Sequence, residues 1–227
     1  MIFYGNCLYI FKKIIKFSLL FQLTYLFMKS ILRLLTLAAL CGFGSIVSAA
    51  SFRTVVIDPG HGGHDKGGQW GRVYEKHLAL DTATRLETML KSMGYQTVMT
   101  RRSDYFISLP ERVSASNRHK NAIFVSIHYN YTWKEKVSGL ETFYYTREGQ
   151  RLAQFVQSNI VRRTRTVDRS AKFARFYVLR NCKLPAILVE GGFVSNEKER
   201  SRMKSAYFRE AIARGIADGI QRYRRAG

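Results

Sequence analysis

After residue 50, short apolar runs alternate with stretches in which apolar residues recur at three- and four-residue steps. The clearest helical periodicity covers residues 76–93, and Gly94 follows it as a helix-ending residue. Proline at residue 110 opens a second periodic stretch, since proline is favoured in the first turn of a helix. The pattern therefore predicts helices over residues 76–93, 110–120, 148–165 and 196–224.

The short apolar and β-branched runs predict the strands. The run at residues 122–128 (AIFVSIH) is almost continuously apolar, which is typical of a central strand covered on both faces. Similar runs predict strands at residues 53–58, 95–100, 140–145, 176–179 and 186–190. Because strands alternate with helices, we predict a three-layer α/β/α sandwich whose mainly parallel, mixed sheet has about six strands. In such sheets, functional sites gather at the carboxyl ends of the strands.

The first 50 residues differ from the rest of the chain. They contain five basic residues, no acidic residue and long apolar runs. Residues 28–50 have a basic start, an apolar stretch and small residues at the end, which is the pattern of a signal peptide. Residues 1–27 form an additional apolar block, which either a misassigned start codon or an uncleaved membrane anchor would explain. We predict a leader over residues 1–50, one domain over residues 51–227, and export to the periplasm, the extracellular space or the cell wall.

The basic character of the chain belongs to the predicted domain itself. With the leader removed, 32 basic and 16 acidic side chains remain, a formal net charge of about +16. Such a surface favours an anionic polymer or a membrane as partner, and export makes nucleic acid the least expected choice, so no nucleic-acid partner is predicted. The basic cluster Arg162-Arg163-Thr164-Arg165 is either an adhesive patch or simply a solvated helix face. Because Cys182 is the one cysteine after residue 50, an intramolecular disulfide is excluded there.

Two histidines and one glutamate stand where a buried strand or a glycine-rich loop ends. His61 lies in Asp58-Pro59-Gly60-His61-Gly62-Gly63, His128 ends the apolar run at 122–128, and Glu75 opens the first helix. Neutral imidazoles and a carboxylate are the ligands that catalytic Zn²⁺ prefers, with a fourth position left for water. Each residue alone has an ordinary structural explanation, because a histidine in a loop and a glutamate at a helix start commonly serve as hydrogen-bonding groups. Together they predict a single catalytic zinc ion. His64 and Asp65 are competing candidates.

Glu190 follows the apolar run Ala186-Ile187-Leu188-Val189 and precedes two glycines. Burying an unpaired carboxylate is costly, so a glutamate there is expected to be paired or catalytic. The structural alternative is a salt bridge to one of the many arginines. The catalytic interpretation makes Glu190 the general base, which takes a proton from water and passes it to a leaving nitrogen.

Five strings in the same order along the chain carry a family resemblance: VVIDPGHGG, YEKHLAL, FVSIHYN, GLETFYY and LPAILVEGGFVSNEKE. They resemble the motifs of the zinc-dependent N-acetylmuramoyl-L-alanine amidases of the type-3 amidase family, over residues 53–223. The resemblance implies that His61, Glu75 and His128 bind zinc and that Glu190 is catalytic. It also implies a peptidoglycan substrate, with hydrolysis of the amide between the lactyl group of N-acetylmuramic acid and L-alanine.

Only eight residues, 131–138, separate Asn130 from the string GLETFYY, which contains the next predicted strand. Family members that need an activator carry a long inserted helix in this region, so we expect an open site that needs no activator, in a monomeric protein. Two other functions stay open at this point. A zinc peptidase that cuts within the stem peptide would use the same residue types, and a non-catalytic glycan-binding protein could keep the fold.

Overall fold

The structure, a computed structural model, describes residues 28–29 and 52–226. Residues 48–227 form one unit by their contacts and residues 1–47 another. Apart from Met28 and Lys29, the predicted leader lies outside the described residues. In the part of the chain that is described, no helix combines the length and the apolar character needed to cross a membrane.

A six-stranded mixed sheet forms the middle layer of the domain. Its strands stand in the order β4-β1-β5-β8-β6-β7. All neighbouring pairs are parallel except β8 and β6, which are antiparallel. A separate two-stranded hairpin, β2-β3, lies in the loop after β1. The strands are β1 (Thr54–Pro59), β2 (Gln69–Trp70), β3 (Val73–Tyr74), β4 (Gln96–Met99), β5 (Ala122–Asn130), β6 (Leu140–Tyr144), β7 (Asp168–Phe173) and β8 (Ala186–Phe193).

Six helices are described, and polar residues begin several of them. Ser108 and Glu111 form a reciprocal capping box at the start of the second helix, while Thr146 and Asn196 cap the third and fifth with their side chains. The helices are α1 (Glu75–Ser92), α2 (Leu109–Asn117), α3 (Arg147–Thr164), α4 (Tyr177–Arg180), α5 (Glu197–Lys204) and α6 (Ala206–Arg225).

Two apolar cores lie on opposite faces of the sheet, because successive strand residues point to opposite faces. On one face, alternate residues of β1, β5 and β8 such as Val55, Ile123 and Ile187 pack with α1, α3 and α6. On the other face, Val56 and Phe124 pack with residues of α2 and α4. This arrangement confirms the predicted α/β/α sandwich and its mixed, mainly parallel sheet.

Two sequence-based predictions of elements are wrong. Residues 176–179 are not a strand: they begin at the cap of the short helix α4, where the amide of Leu179 donates to the carbonyl of Phe176. The sixth strand is β7, which the sequence analysis missed. The helix predicted over residues 196–224 is two helices, since Ser205 between α5 and α6 is extended (φ −74°, ψ 127°).

Candidate metal centre

The carboxyl ends of β1, β5 and β8 bring the candidate residues together. His61 lies two residues after β1, and Glu75 is the first residue of α1. His128 lies near the end of β5 and is the register partner of Glu190 on the neighbouring strand β8. The parallel pairing of these strands explains why residues more than 60 positions apart in the sequence meet at one edge of the sheet.

The side chains of His61, Glu75 and His128 each offer one ligand atom, and these atoms lie within 4.8 Å of one another. The Glu75 Oε1 atom is 3.0 Å from His61 Nε2 and 2.8 Å from His128 Nδ1. The two imidazole rings stand nearly perpendicular, at 78°, with their centroids 4.8 Å apart. This set of donors, two imidazoles and one carboxylate, fits a catalytic zinc ion.

Glu75 and His61 each change the charge that the other favours. Burial favours the neutral form of Glu75, but hydrogen bonds from His128 and His61 outweigh it and hold the pKa of this carboxyl far below its usual range. Burial likewise opposes the charge on His61, yet Glu75 and Asp65 raise the pKa of its imidazole. The carboxylates therefore concentrate negative charge at a point that suits a cation.

Asp65 orients His61. Its Oδ2 atom lies 2.8 Å from His61 Nδ1, and the amide of Gly67 donates to its Oδ1 atom at 3.1 Å. With Nδ1 held by a carboxylate, Nε2 is the nitrogen directed towards Glu75, as is common for metal-binding histidines. Asp65 thus lies behind a candidate ligand, and the competing candidate His64 instead stacks on Phe106 with ring centroids 4.3 Å apart.

Two buried arginines hold the His61 loop, and sequence reasoning gave neither a role. The guanidinium of Arg101, which is fully buried, donates to the carbonyls of Pro59 and Gly60. Arg112 donates to the carbonyl of His61 at 2.7 Å and forms an ion pair with Asp58, also at 2.7 Å. A buried aspartate directly after an apolar strand was the available sequence signal, since such a charge needs a partner.

At two glycines in the same loop, a larger side chain would overlap the candidate ligands. A Cβ atom on Gly60 would lie 2.3–2.6 Å from atoms of the His128 ring. A Cβ atom on Gly67, whose φ is +67°, would lie 2.5 Å from both Glu75 Oε2 and His61 Cδ2. His61 itself has a positive φ of 57°, a strained conformation for a residue other than glycine, and such strain is concentrated at functional sites.

Glu190 lies beside the three residues without a compensating partner. It is only 8% exposed, and among the described residues its Oε2 is the one buried side-chain oxygen or nitrogen without a hydrogen-bond partner. Burial, reinforced by the charges of Glu75 and Glu141, raises the pKa of Glu190 well above its usual value. The alternative prediction of a salt bridge to an arginine is therefore wrong for this residue.

Unlike Glu190, its antiparallel register partner Glu141 on β6 is paired with basic side chains. Glu141 contacts Arg169 Nε at 3.1 Å and Lys172 Nζ at 2.5 Å, and it accepts a hydrogen bond from Asn130. Arg169 and Lys172 belong to β7, so the sequence analysis could not place this network.

A cavity of about 400 Å³ opens at these residues. Its polar end contains His61, Glu75, His128 and Glu190, and its walls are mainly apolar or aromatic. The wall residues come from the segment before α2, the end of β5 and the region of α4: Phe106, Ile107, Leu109, Tyr131, Phe176, Tyr177 and Val178. A site of this kind suits an extended substrate whose reacting group enters the polar end.

Comparison with known proteins identifies the family. Residues 55–222 match the model of the family Amidase_3, described as N-acetylmuramoyl-L-alanine amidase. The chain belongs to this family, which confirms the resemblance read from the motifs. The predicted class of enzyme, an amide hydrolase, is the class that this family description names.

Relatives of known name agree with this assignment. The N-acetylmuramoyl-L-alanine amidase LytC of Bacillus subtilis (strain 168) is 37% identical over 176 residues, which cover 76% of this chain and 36% of LytC. This chain thus spans about a third of the length of that relative.

Solved structures are similar in fold as well as in sequence. The catalytic domain of the amidase CwlV from Bacillus (Paenibacillus) polymyxa var. colistinus is 34% identical, with a TM-score of 0.74 over 78% of this chain and 100% of that one. CwlD from Clostridioides difficile, solved in complex with the GerS lipoprotein, is 30% identical, with a TM-score of 0.70 over 75% of this chain and 98% of that one.

Proposed function

We propose that residues 52–226 form a zinc-dependent N-acetylmuramoyl-L-alanine amidase that hydrolyses the amide between the lactyl group of N-acetylmuramic acid and L-alanine. One observation carries the proposal: the unpaired, buried Oε2 atom of Glu190 lies in the same cavity as the ligand set of His61, Glu75 and His128. A metal-binding trio and an uncompensated carboxyl group are what metal-assisted amide hydrolysis requires.

Each residue has a distinct role in this reaction. His61, Glu75 and His128 would hold the zinc ion, which when bound supplies Lewis-acid activation of water and of the amide carbonyl. Glu190 accepts a proton from the attacking water at Oε2 and delivers it to the nitrogen of the leaving L-alanine. Burial raises the pKa of Glu190, which makes its carboxylate a better proton acceptor than that of an exposed glutamate.

The surrounding residues keep this constellation in place. Asp65 fixes the orientation of the His61 ring, and Arg101 and Arg112 hold the carbonyls of the loop that carries it. The apolar side chains around Phe106 and Phe176 line the cavity beside the reacting amide. These groups therefore act on the position of the ligands and on access to the site.

The two alternative functions differ in how many residues of the site they would use. A zinc peptidase would need the same residues, and only the products distinguish it from an amidase. A non-catalytic glycan-binding protein would have no use for the unpaired carboxyl group of Glu190 next to a ligand set. Burying that group costs folding stability, and a catalytic role gives a reason for the cost. The amidase also agrees with family membership.

The proposed setting is outside the cytoplasm. Residues 1–50 serve as a leader, of which residues 28–50 are the signal peptide, so that the catalytic domain reaches the periplasm or the cell wall. A membrane anchor within the leader is the alternative. Secretion and analysis of the amino terminus of the exported protein would distinguish them: a terminus near Ser51 supports cleavage.

We further propose that the domain is a monomer whose site is open without an activator. The support is the cavity at the trio and the short segment between β5 and β6, which leaves no space for a long helix. CwlD was solved with a lipoprotein, so a partner is a real alternative for this family. A purified domain that stays inert on peptidoglycan until a partner is added would contradict the proposal.

The positive charge of the domain would hold it on anionic wall material. Arg162, Arg163 and Arg165 line an open cleft at the end of α3, although Arg163 is also paired with Asp218. Exposed charges are screened by salt. We therefore expect binding to purified cell walls to fall strongly between low and moderate ionic strength, and salt-independent binding would contradict this role.

The test of the main proposal is digestion of purified peptidoglycan by the protein from Ser51 onward, with and without a chelator. Mass analysis of the soluble products should show free stem peptides with an intact L-alanine, and the chelator should abolish them until zinc is restored. Fragments cut between two amino acids would indicate the peptidase, and no product at all would leave only the binding function.

A further inference from the structure

A segment of eight residues, 131–138, follows β5 directly and carries two exposed aromatic side chains, the first of which lines the cavity of the metal centre. Tyr131 is 48% exposed and lines the cavity that contains the trio, and Trp133, two residues further on, is 88% exposed. A tryptophan side chain is normally at least partly covered, because it buries a large apolar area when it packs. Its near-complete exposure, two residues after a tyrosine that lines the cavity, therefore indicates a surface that a ligand covers.

The segment is held rigidly in this position. The amide of Thr132 donates to the hydroxyl of Ser195 at 3.2 Å, and the side-chain amide of Asn196 donates to the carbonyl of Glu135 at 2.7 Å. At the far end, the amide of Gly139 donates to Glu199 at 2.8 Å. All three anchors lie within nine residues after Glu190. The backbone that carries Trp133 is thus anchored to the segment that follows Glu190, and the exposure of Trp133 is not that of a loose loop.

Tyr131 lies against Gly68, in the loop that precedes the hairpin β2-β3. Its Cβ atom would be 3.0 Å from a Cβ atom placed on Gly68, and the amide of Gly68 donates to Oε2 of Glu75 at 2.7 Å. The backbone amide of Tyr131 donates to the side chain of Asn130, which lines the same cavity. Tyr131 therefore stands at the mouth of the cavity, with Trp133 next along the same segment.

We infer that Tyr131 and Trp133 form a platform for the glycan strand, on which the faces of sugar rings stack. The inference rests on the proposed function, because the scissile amide hangs from a sugar and the strand must pass the mouth of the cavity. Rigid aromatic side chains give a large contact area at little entropic cost, and the faces of sugar rings are uncharged. The stem peptide then lies along the opposite wall, formed by the segments around Phe106 and Phe176.

The first test measures binding without catalysis. Glycan strands freed of stem peptides are titrated against the purified domain and its variants. Trp133→Ala should weaken binding by about tenfold, as central aromatic contacts commonly do, and Trp133→Phe should recover most of it. Phe173→Ala is the matched control, because Phe173 is an exposed aromatic residue (56%) that lines neither this cavity nor the cleft of Arg162, Arg163 and Arg165. It should bind like the unchanged domain.

The second test separates the platform from the chemistry. On intact peptidoglycan, Trp133→Ala should raise KM more than it lowers kcat, and its loss of kcat/KM should exceed the loss on a single N-acetylmuramoyl peptide. If the variant lost affinity for free stem peptides and kept its affinity for glycan strands, the platform would belong to the peptide and our inference would be wrong. Equal losses on both substrates would also overturn it. Glycan binding that depends on Trp133 in a domain without amidase activity would contradict the proposed function alone.

Discussion

His128 and Glu190 face each other in register on the adjacent parallel strands β5 and β8. One is a candidate metal ligand and the other carries the unpaired buried oxygen of the site. Because each belongs to a buried strand in the middle of the sheet, their separation is set by backbone pairing and does not depend on a mobile loop. The sheet therefore places the proton-transferring group beside the metal centre before any substrate arrives.

Replacing Glu190 by glutamine tests its role as a general base. Glu190→Gln should lower kcat by about 10²- to 10⁴-fold, since glutamine cannot take the proton, while the zinc content measured by elemental analysis stays at one ion per chain. His61→Ala is the comparison variant and should lose both zinc and activity. If Glu190→Gln also lost its zinc, Glu190 would be a ligand and another group would have to move the proton.

Removing Asp65 tests whether this carboxylate supports the metal centre through His61. Asp65→Ala leaves the Nδ1 atom of His61 without its partner, so zinc affinity should fall by roughly 10- to 100-fold in a chelator competition assay. Glu148→Ala removes an exposed carboxylate from the first turn of α3 and serves as the control. Unchanged zinc affinity in Asp65→Ala would mean that the loop alone orients the imidazole.

Both side chains of the ion pair between Arg112 and Asp58 are buried, so breaking the pair should lower the free energy of unfolding. Arg112→Met leaves the Asp58 carboxylate buried with only the hydroxyls of Thr100 and Ser126 as partners. We expect the free energy of unfolding to fall by about 3–5 kcal/mol in urea denaturation. Arg118→Met, at the exposed C-cap of the same helix, should change it by less than about 0.5 kcal/mol. A small effect of Arg112→Met would show that the hydroxyls suffice.

Glu87 provides a pH-dependent contribution to stability. Two hydrogen bonds of 2.7 Å from the guanidinium of Arg102 lower the pKa of Glu87 to about 2 in the folded domain, below its ordinary value of 4.5. Because the pKa is lower in the folded domain than in the unfolded chain, the ionised carboxylate stabilises the domain at pH values above 4.5. This contribution to the unfolding free energy is lost as the pH falls towards 2.

The corresponding variant is Glu87→Gln. The difference in unfolding free energy between the unchanged domain and this variant should be constant from pH 7 to about 5.5 and should shrink as the pH falls from 4.5 to 3. Urea denaturation at a series of pH values measures it. A difference of the same size at pH 3 and pH 7 would mean that the contribution of the contact with Arg102 to stability does not depend on the charge of Glu87.

The sequence predicted the parts of the fold that have a clear apolar signature. The strands around Val56, Phe124 and Leu188 are buried on both faces, and α1 has regular helical periodicity, so their positions follow from the pattern of side chains. The strand β7, with the sequence DRSAKF, has no such signature, because it is a charged edge strand with a bulge near Ser170. The apolar run at residues 176–179 was mistaken for it, since a run of four residues fits a helical turn equally well.

The candidate site was predictable to a similar extent. Residue type and position at strand ends or at a helix start marked His61, Glu75, His128 and Glu190 as candidates, and the family motifs supplied their roles. The structure brings all four together. The supporting role of Asp65 and the bracing by Arg101 and Arg112 depend on long-range contacts, which spacing along the chain does not reveal. The exposure of Trp133 is likewise a property of the folded chain, because its loop is held by residues more than 60 positions away.

The most direct test of the central claim is the identity of the amino-terminal residue on peptides released from peptidoglycan. Amino groups are labelled after digestion by the zinc-loaded domain, and the labelled residues are identified after acid hydrolysis. We expect new L-alanine amino termini in the same amount as released stem peptide, and none with Glu190→Gln. New amino termini on any other residue of the stem peptide would show that the domain cuts a peptide bond and would contradict the account.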